Sequence, residues 1–125
     1  MFAFEAVTGA KVIDCFELND RLLFIVDQGY LAKALGREKS NIAKLSKMFN
    51  KKLKIVEFKP DPVLFVKNLI SPLKPKSIEL HDKTVQVIVK NPKIKGLILG
   101  SQKKNLKAYQ DALNMHFKGL KIEVV

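Results

Sequence analysis

The sequence predicts an α/β protein of the mixed, α+β kind, built from one layout used twice, and three observations carry that prediction. The first is a repeated string, LGREKSNIAK (Leu35 to Lys44) and LGSQKKNLKA (Leu99 to Ala108). Gly36, Lys39, Asn41 and Ile42 answer to Gly100, Lys103, Asn105 and Leu106 at one constant offset. Repetition at this scale decides the domain count before any finer reading. The second is the order of elements around each string: two β-leaning runs, a helix, a Gly break, a second helix and a closing strand. The third is charge. Residues 33–60 carry nine basic and two acidic groups, as do residues 83–125, whereas residues 1–32 carry two against five and residues 61–82 three against three.

Taken in order, Phe2 to Thr8 is open between a short helix and a strand, and Gly9 ends it. Lys11 to Leu18 and Arg21 to Asp27, rich in Val, Ile, Phe and Leu, read as strands joined by a tight turn at Asn19-Asp20. Asp27 is expected to cap a short helix from Gly29 to Leu35, which Gly36 breaks. A second helix from Lys39 or Ser40 to Asn50 puts Ile42, Leu45, Met48 and Phe49 on its apolar face and Lys44, Lys47 and Lys51 away from it. Leu53 to Phe58 is a third strand. Lys59-Pro60-Asp61-Pro62 then divides the chain, with residues 1–59 as one domain and 60–125 as the second.

Asp61 is a ready N-cap with Pro62 at the first helical position, so Val63 to Ile70 reads as a helix joining the two domains and stopped by Ser71-Pro72. Ser77 to His81 and Thr84 to Lys90 form a hairpin across Asp82-Lys83. Asn91-Pro92 starts a helix through Leu99, and Gly100 breaks it. The next helix, from about Lys104 to Phe117, keeps Leu106, Tyr109, Leu113 and Phe117 on one face. Leu120 to Val125 closes the chain as a strand.

Composition narrows the function. With 125 residues, 47% of them hydrophobic, the chain has material for a true core, and because units of roughly 60 residues are marginal alone the two repeats are expected to pack on each other. Its longest apolar runs fall far short of a bilayer span and its start lacks a signal-peptide pattern, so a cytoplasmic protein with no membrane partner is expected. Cys15, the one cysteine, excludes an internal disulfide and a thiolate metal cage, and is expected as a small buried apolar residue. Lys and Arg total 23 against 12 Asp and Glu, a net charge of +11 that suits a polyanion partner better than a merely solvated surface. Catalysis is not expected: His81 and His116 lack ligand spacing, and no nucleophile elbow, Walker loop or dinucleotide fingerprint occurs. The pairs Asp14 with Glu17 and Glu79 with Asp82 fall on hairpin strands, where they solvate an edge or balance lysines. No cofactor or metal is expected.

The repeated loops carry the chemistry. Lys103 and Lys104 at one helix start, and Lys39 at the other, sit where the macrodipole is positive and Asp or Glu would be more stabilising. Cations with backbone N–H groups at a helix start seat a phosphate, and a Gly just before lets the backbone approach closely. The plainer reading is a helix-capping Gly with incidental lysines. Its occurrence twice at equal offset argues against that.

Two strands, then helix, Gly loop, helix and strand, is the layout of a KH domain of type II, whose loop reads G-x-x-G. Asp61-Pro62 followed by Phe65, Asn68 and Pro72 resembles the D-P-x-x-F-x-x-N-x-x-x-P helix that joins the two KH domains of the NusA family of transcription factors. Phe4-Glu5 with Thr8-Gly9-Ala10, and Leu53 to Phe58, are similar to the archaeal branch of that family. The resemblance implies two tandem type II KH domains, each a three-stranded mixed sheet packed against helices. It further implies a monomer that binds single-stranded RNA and acts with RNA polymerase in elongation or termination. The RNA-binding set that follows is Gly36, Arg37, Glu38, Lys39 and Lys44 with Gly100, Ser101, Gln102, Lys103, Lys104 and Lys107. Phosphates are expected at the loops in one continuous track over both units, and bases against Leu35, Ile42, Leu99 and Leu106, without the aromatic platform of an RRM.

Lys39 and Lys103 stand where the family loop has its second Gly, and either obstruct backbone approach or add a phosphate contact. The amino-terminal polymerase-binding domain and the oligonucleotide-binding barrel of bacterial relatives have no counterpart in the sequence, which leaves polymerase contact open. Two other readings stay open: a KH-fold module that docks on polymerase or ribosome components without binding RNA, and an RNA binder acting on ribosomal RNA or translation.

Overall fold

In the computed structural model, which describes residues 2–125, the ambiguous first segment is a helix, α1 (Phe2–Thr8). Packing decides it. Phe4 is fully buried and its ring stacks on Phe24 with centroids 4.6 Å apart. Thr8 Oγ1 donates back to the Phe4 carbonyl at 2.9 Å and accepts the Ala10 N–H at 3.0 Å, which closes the helix end just past it. Gly9, at φ +72°, provides the left-handed turn that sends the chain into the sheet.

β1 (Val12–Glu17) and β2 (Arg21–Val26) pair antiparallel about the Asn19-Asp20 turn, closed by a 2.9 Å bond from the Leu18 N–H to the Arg21 carbonyl. β3 (Lys52–Glu57) pairs parallel with β2, from Arg21 opposite Lys52 to Val26 opposite Glu57. A parallel neighbour requires a crossover. α2 (Leu31–Leu35) and α3 (Ser40–Phe49) supply it. Phe4, Val12, Phe24, Val26, Ala34, Leu45 and Leu53 form the core, with Phe49 tilted on Phe24 at 5.7 Å.

Three local expectations change. Asp27 does not cap α2: its Oδ1 accepts the Gln28 N–H at 2.8 Å and its carbonyl accepts the Tyr30 N–H at 3.1 Å. Gly29 at φ +90° forbids a helix there, so α2 starts later, after Tyr30 and without a side-chain cap. Cys15 is exposed, because β1 is an outer strand with its other edge unpaired, and partial desolvation pushes the thiol pKa up. Met48 is 53% exposed: α3 buries a narrower stripe centred on Leu45, and Asn41 is drawn into it.

The second unit begins at Lys59. Asp61 Oδ1 accepts the N–H groups of Val63 (2.8 Å) and Leu64 (3.3 Å), and Pro62 opens α4 (Pro62–Ile70). Phe65, Val66, Leu69 and Ile70 of that helix are buried. β4 (Ser77–His81) and β5 (Thr84–Ile88) form a hairpin whose turn residue Asp82 has φ +55°. α5 (Pro92–Leu99) is capped by Asn91 Oδ1, which accepts from Lys93 (2.9 Å) and Ile94 (3.4 Å). α6 (Lys104–His116) leads to β6 (Lys121–Val124), parallel to β5.

On α6, Tyr109 and Leu113 are buried as expected, but Ala108 and Ala112 join them while Leu106 is half-buried; Phe117, expected as the last helical residue, lies just past the helix end and is half-buried. Gln110 holds β6 to α6: its Nε2 donates to the Leu120 carbonyl at 2.9 Å and its Oε1 accepts the Ile122 N–H at 2.7 Å. Each unit therefore runs helix, strand, strand, helix, loop, helix, strand. In each sheet the second strand lies in the middle, antiparallel to the first and parallel to the third.

Candidate nucleic-acid interface

The repeated strings form the links between α2 and α3 and between α5 and α6, and the two links have the same backbone. Gly36 lies at φ 76°, ψ 178° and Gly100 at φ 75°, ψ 173°. Residues 37–39 and 101–103 each make a one-turn 3-10 segment in which the last two residues are left-handed. Glu38 (52°, 34°) matches Gln102 (55°, 29°), and Lys39 (59°, 26°) matches Lys103 (59°, 25°). The closing bonds also agree. Gly36 N–H donates to the Ala32 carbonyl at 3.0 Å and Gly100 N–H to the Gly96 carbonyl at 2.9 Å. Lys39 and Lys103 donate to the carbonyls of Gly36 and Gly100 at 3.2 and 3.1 Å.

Why Gly and Asn recur together becomes plain in the first loop. Asn41, only 9% exposed, turns back under α2 and donates from Nδ2 to the Lys33 carbonyl at 3.3 Å. That carbonyl belongs to the last turn of a helix, where acceptors lack intrahelical partners. A Cβ on Gly36 would lie 2.7 Å from Asn41 Nδ2 and 2.8 Å from its Cγ, so the amide occupies the space a side chain would need. Asn105 repeats the link to the Leu97 carbonyl at 3.5 Å. Residue-type reasoning missed this clamp, although the Asn in both strings was the signal for it.

The expected RNA-binding residues divide into loop and flank. Arg37, Glu38, Lys39, Ser101, Gln102 and Lys103 are all exposed on the two turns. Neither α3 nor α6 has an acidic residue in its first turn; Glu38 stands just ahead of α3, whereas the loop before α6 carries no acid. Among the described residues, Arg37, Glu38, Lys39, Lys44, Lys103 and Lys107 make no ion pair. The flanking lysines are exposed but not equivalent: by the repeat, Lys44 corresponds to the buried Ala108, and Lys107 to Ala43. Leu35, Ile42, Leu99 and Leu106 are each half-buried, which leaves part of every one of these side chains open beside its loop.

His81, His116 and Lys54 lie outside the two loops. His81 Nε2 lies 2.9 Å from Glu79 Oε1 on exposed β4, and His116 meets Phe65 edge-on at 5.9 Å. Lys54 on β3 is the most perturbed: burial, then the Arg21 charge, pushes its pKa down to about 8. Among the described residues no group of three or more His, Cys, Asp or Glu is placed to hold a metal, and no helix is long and apolar enough to cross a membrane.

A helix-first unit with a three-stranded mixed sheet, whose two later helices are joined by a Gly-opened loop, is a type II KH domain, and this chain carries two in tandem. No family model matches the chain. It is 30% identical over 125 residues to the probable transcription termination protein NusA of Methanocaldococcus jannaschii, covering 98% of this chain and 68% of that protein. It is 27% identical over 124 residues to the protein of the same name from Thermoplasma acidophilum, covering 97% and 86%. Among solved structures it is similar to the crystal structure of APE1850, with a TM-score of 0.67 and 27% identity over 99% of this chain and 94% of that one. The chain belongs to the archaeal NusA family.

Proposed function

We propose that this protein is a transcription elongation or termination factor of the NusA type that binds single-stranded RNA and holds its phosphates at residues 36–39 and 100–103. The observation that carries the reading is the matched loop pair: two turns of one backbone conformation, each opening on Gly and together presenting Arg37, Lys39 and Lys103, exposed and without an ion pair among the described residues. Gly36 and Gly100 keep the first loop position narrow, and the N–H groups at the starts of α3 and α6 favour an anion there. Lys39 and Lys103 stand where the family loop has its second Gly and hold a left-handed backbone there, so each adds an ammonium for a phosphate oxygen. Lys44, Lys104 and Lys107 extend the positive field along the helices. The partly open Leu35, Ile42, Leu99 and Leu106 offer apolar contact for bases. Binding of this kind requires no covalent step, and therefore no cofactor. The relatives' name, probable transcription termination protein, supports the cellular role.

A salt titration of binding to a single-stranded RNA by the wild type and by a Lys39→Glu, Lys103→Glu double variant tests the reading. Wild-type affinity should fall by roughly 0.7 log unit per log unit of salt for each phosphate neutralised. The variant should bind at least about tenfold more weakly at low salt with a shallower slope, since each reversal replaces a favourable contact with a repulsive one. Equal binding by the two proteins would sink the loop assignment. Retention of RNA polymerase by a wild type that binds no RNA would favour a KH module that docks on protein.

A further inference from the structure

The two loops share a backbone but not a charge. At the third loop position Glu38 and Gln102 occupy the same left-handed conformation to within a few degrees, and both are exposed. Glu and Gln are close to isosteric, so the molecule contrasts one negative charge with none at a matched place. Among the described residues no ion pair neutralises the Glu38 carboxylate. The surroundings differ in the same sense. The first loop sets Arg37 and Lys39 on either side of that carboxylate, whereas from Gly100 the second runs through Lys103, Lys104 and Lys107 and meets no acid before Asp111.

We propose that Glu38 makes the first loop the weaker and less salt-sensitive of two phosphate seats, so that the second unit anchors RNA and the first releases it first. The assignment rests on the RNA-binding reading above and identifies which residue grades the two sites. A phosphate held at a loop brings its negative oxygens within several ångströms of the side chain at the third position. In a water-rich setting, one like charge at about 6 Å weakens such binding by about threefold. That penalty is screened over about 10 Å at 0.1 M salt and shrinks as salt rises.

The experiment is the reciprocal exchange. Wild type, Glu38→Gln and Gln102→Glu are titrated with a short single-stranded RNA by fluorescence anisotropy at about 50 mM and about 300 mM salt. Glu38→Gln should bind about threefold more tightly at the lower salt and nearly as the wild type at the higher. Gln102→Glu should bind at least threefold more weakly at the lower salt, because it burdens the stronger seat. Both side chains are exposed, so thermal unfolding should be unchanged and serves as the control for folding. A wild type that binds no RNA defeats the underlying reading of the loops. A wild type that binds, with Glu38→Gln equal to it, weaker than it, or tighter by the same factor at both salts, overturns the role of Glu38 alone. Weaker binding would mean that the carboxylate itself accepts a hydrogen bond from the RNA.

Discussion

Lys39 and Lys103 sit on backbone that a glycine adopts more easily, at φ +59° in both loops. A left-handed conformation costs an ordinary L-residue roughly 1–2 kcal/mol, and such outliers persist where the surroundings hold them and where their side chains are used. Replacing either lysine by Gly removes that cost but restores unfolded-chain freedom worth about 0.5–1 kcal/mol. Lys103→Gly should therefore leave the unfolding free energy unchanged or raise it by up to about 1 kcal/mol, while weakening RNA binding. Urea unfolding and RNA titration of the same variant check this together. A loss of more than about 1 kcal/mol would mean that the lysine serves the fold. The repeated Gly and Lys were legible in the sequence as a loop with cations. What was not legible was the interlock of Gly36 with Asn41: the repeated spacing marks the pair, but an amide 2.7 Å from an absent Cβ is a fact of packing between helices that spacing alone does not reveal.

At the scale of elements, the helices with side-chain caps could be read closely from the chain. Asp61-Pro62 and Asn91-Pro92 start α4 and α5 where local chemistry places them, because cap and first turn need only neighbours in sequence. α1 could not be settled that way, since its helical form depends on Phe4 reaching Phe24 across the core, and α2 starts late because of the turn at Gly29. β3 shows a further limit of local reading. Lys54 occupies a strand position opposite Leu23 and is half-buried, and this burial with the nearby Arg21 charge lowers its pKa from 10.5 to about 8. Below about pH 8 both folded and unfolded chains hold the proton, and the folded state bears the full penalty of a desolvated ammonium. Between about 8 and 10.5 the unfolded chain binds more protons than the folded one, so stability rises with pH across that window. The gain should be on the order of 1–3 kcal/mol. Lys54→Met should lack the rise, and unfolding free energies of both proteins at about pH 7.5 and about pH 10 measure it as a difference. A difference that stays constant with pH removes Lys54 as the cause.

For the whole molecule, the decisive quantity is a net charge of +11 and where it is carried. A basic surface of this size attracts any polyanion, so RNA binding alone does not separate a specific loop grip from a general field. Position separates them. Lys51 and Lys118 are exposed lysines that follow α3 and α6, at the ends of those helices away from the loops. A helix of ten residues is about 15 Å long, beyond one Debye length at physiological salt. Lys51→Glu with Lys118→Glu lowers the net charge by as much as Lys39→Glu with Lys103→Glu, two units per substitution. If phosphates are held at the loops, the distal pair should weaken RNA binding by no more than about threefold at physiological salt, and the loop pair by at least about tenfold. Equal losses would assign the affinity to overall charge, and the matched loops would then be a repeated turn of the fold without a grip on RNA. The comparison is sharpest near 0.15 M salt, where the general field is screened and close contacts at the helix starts remain.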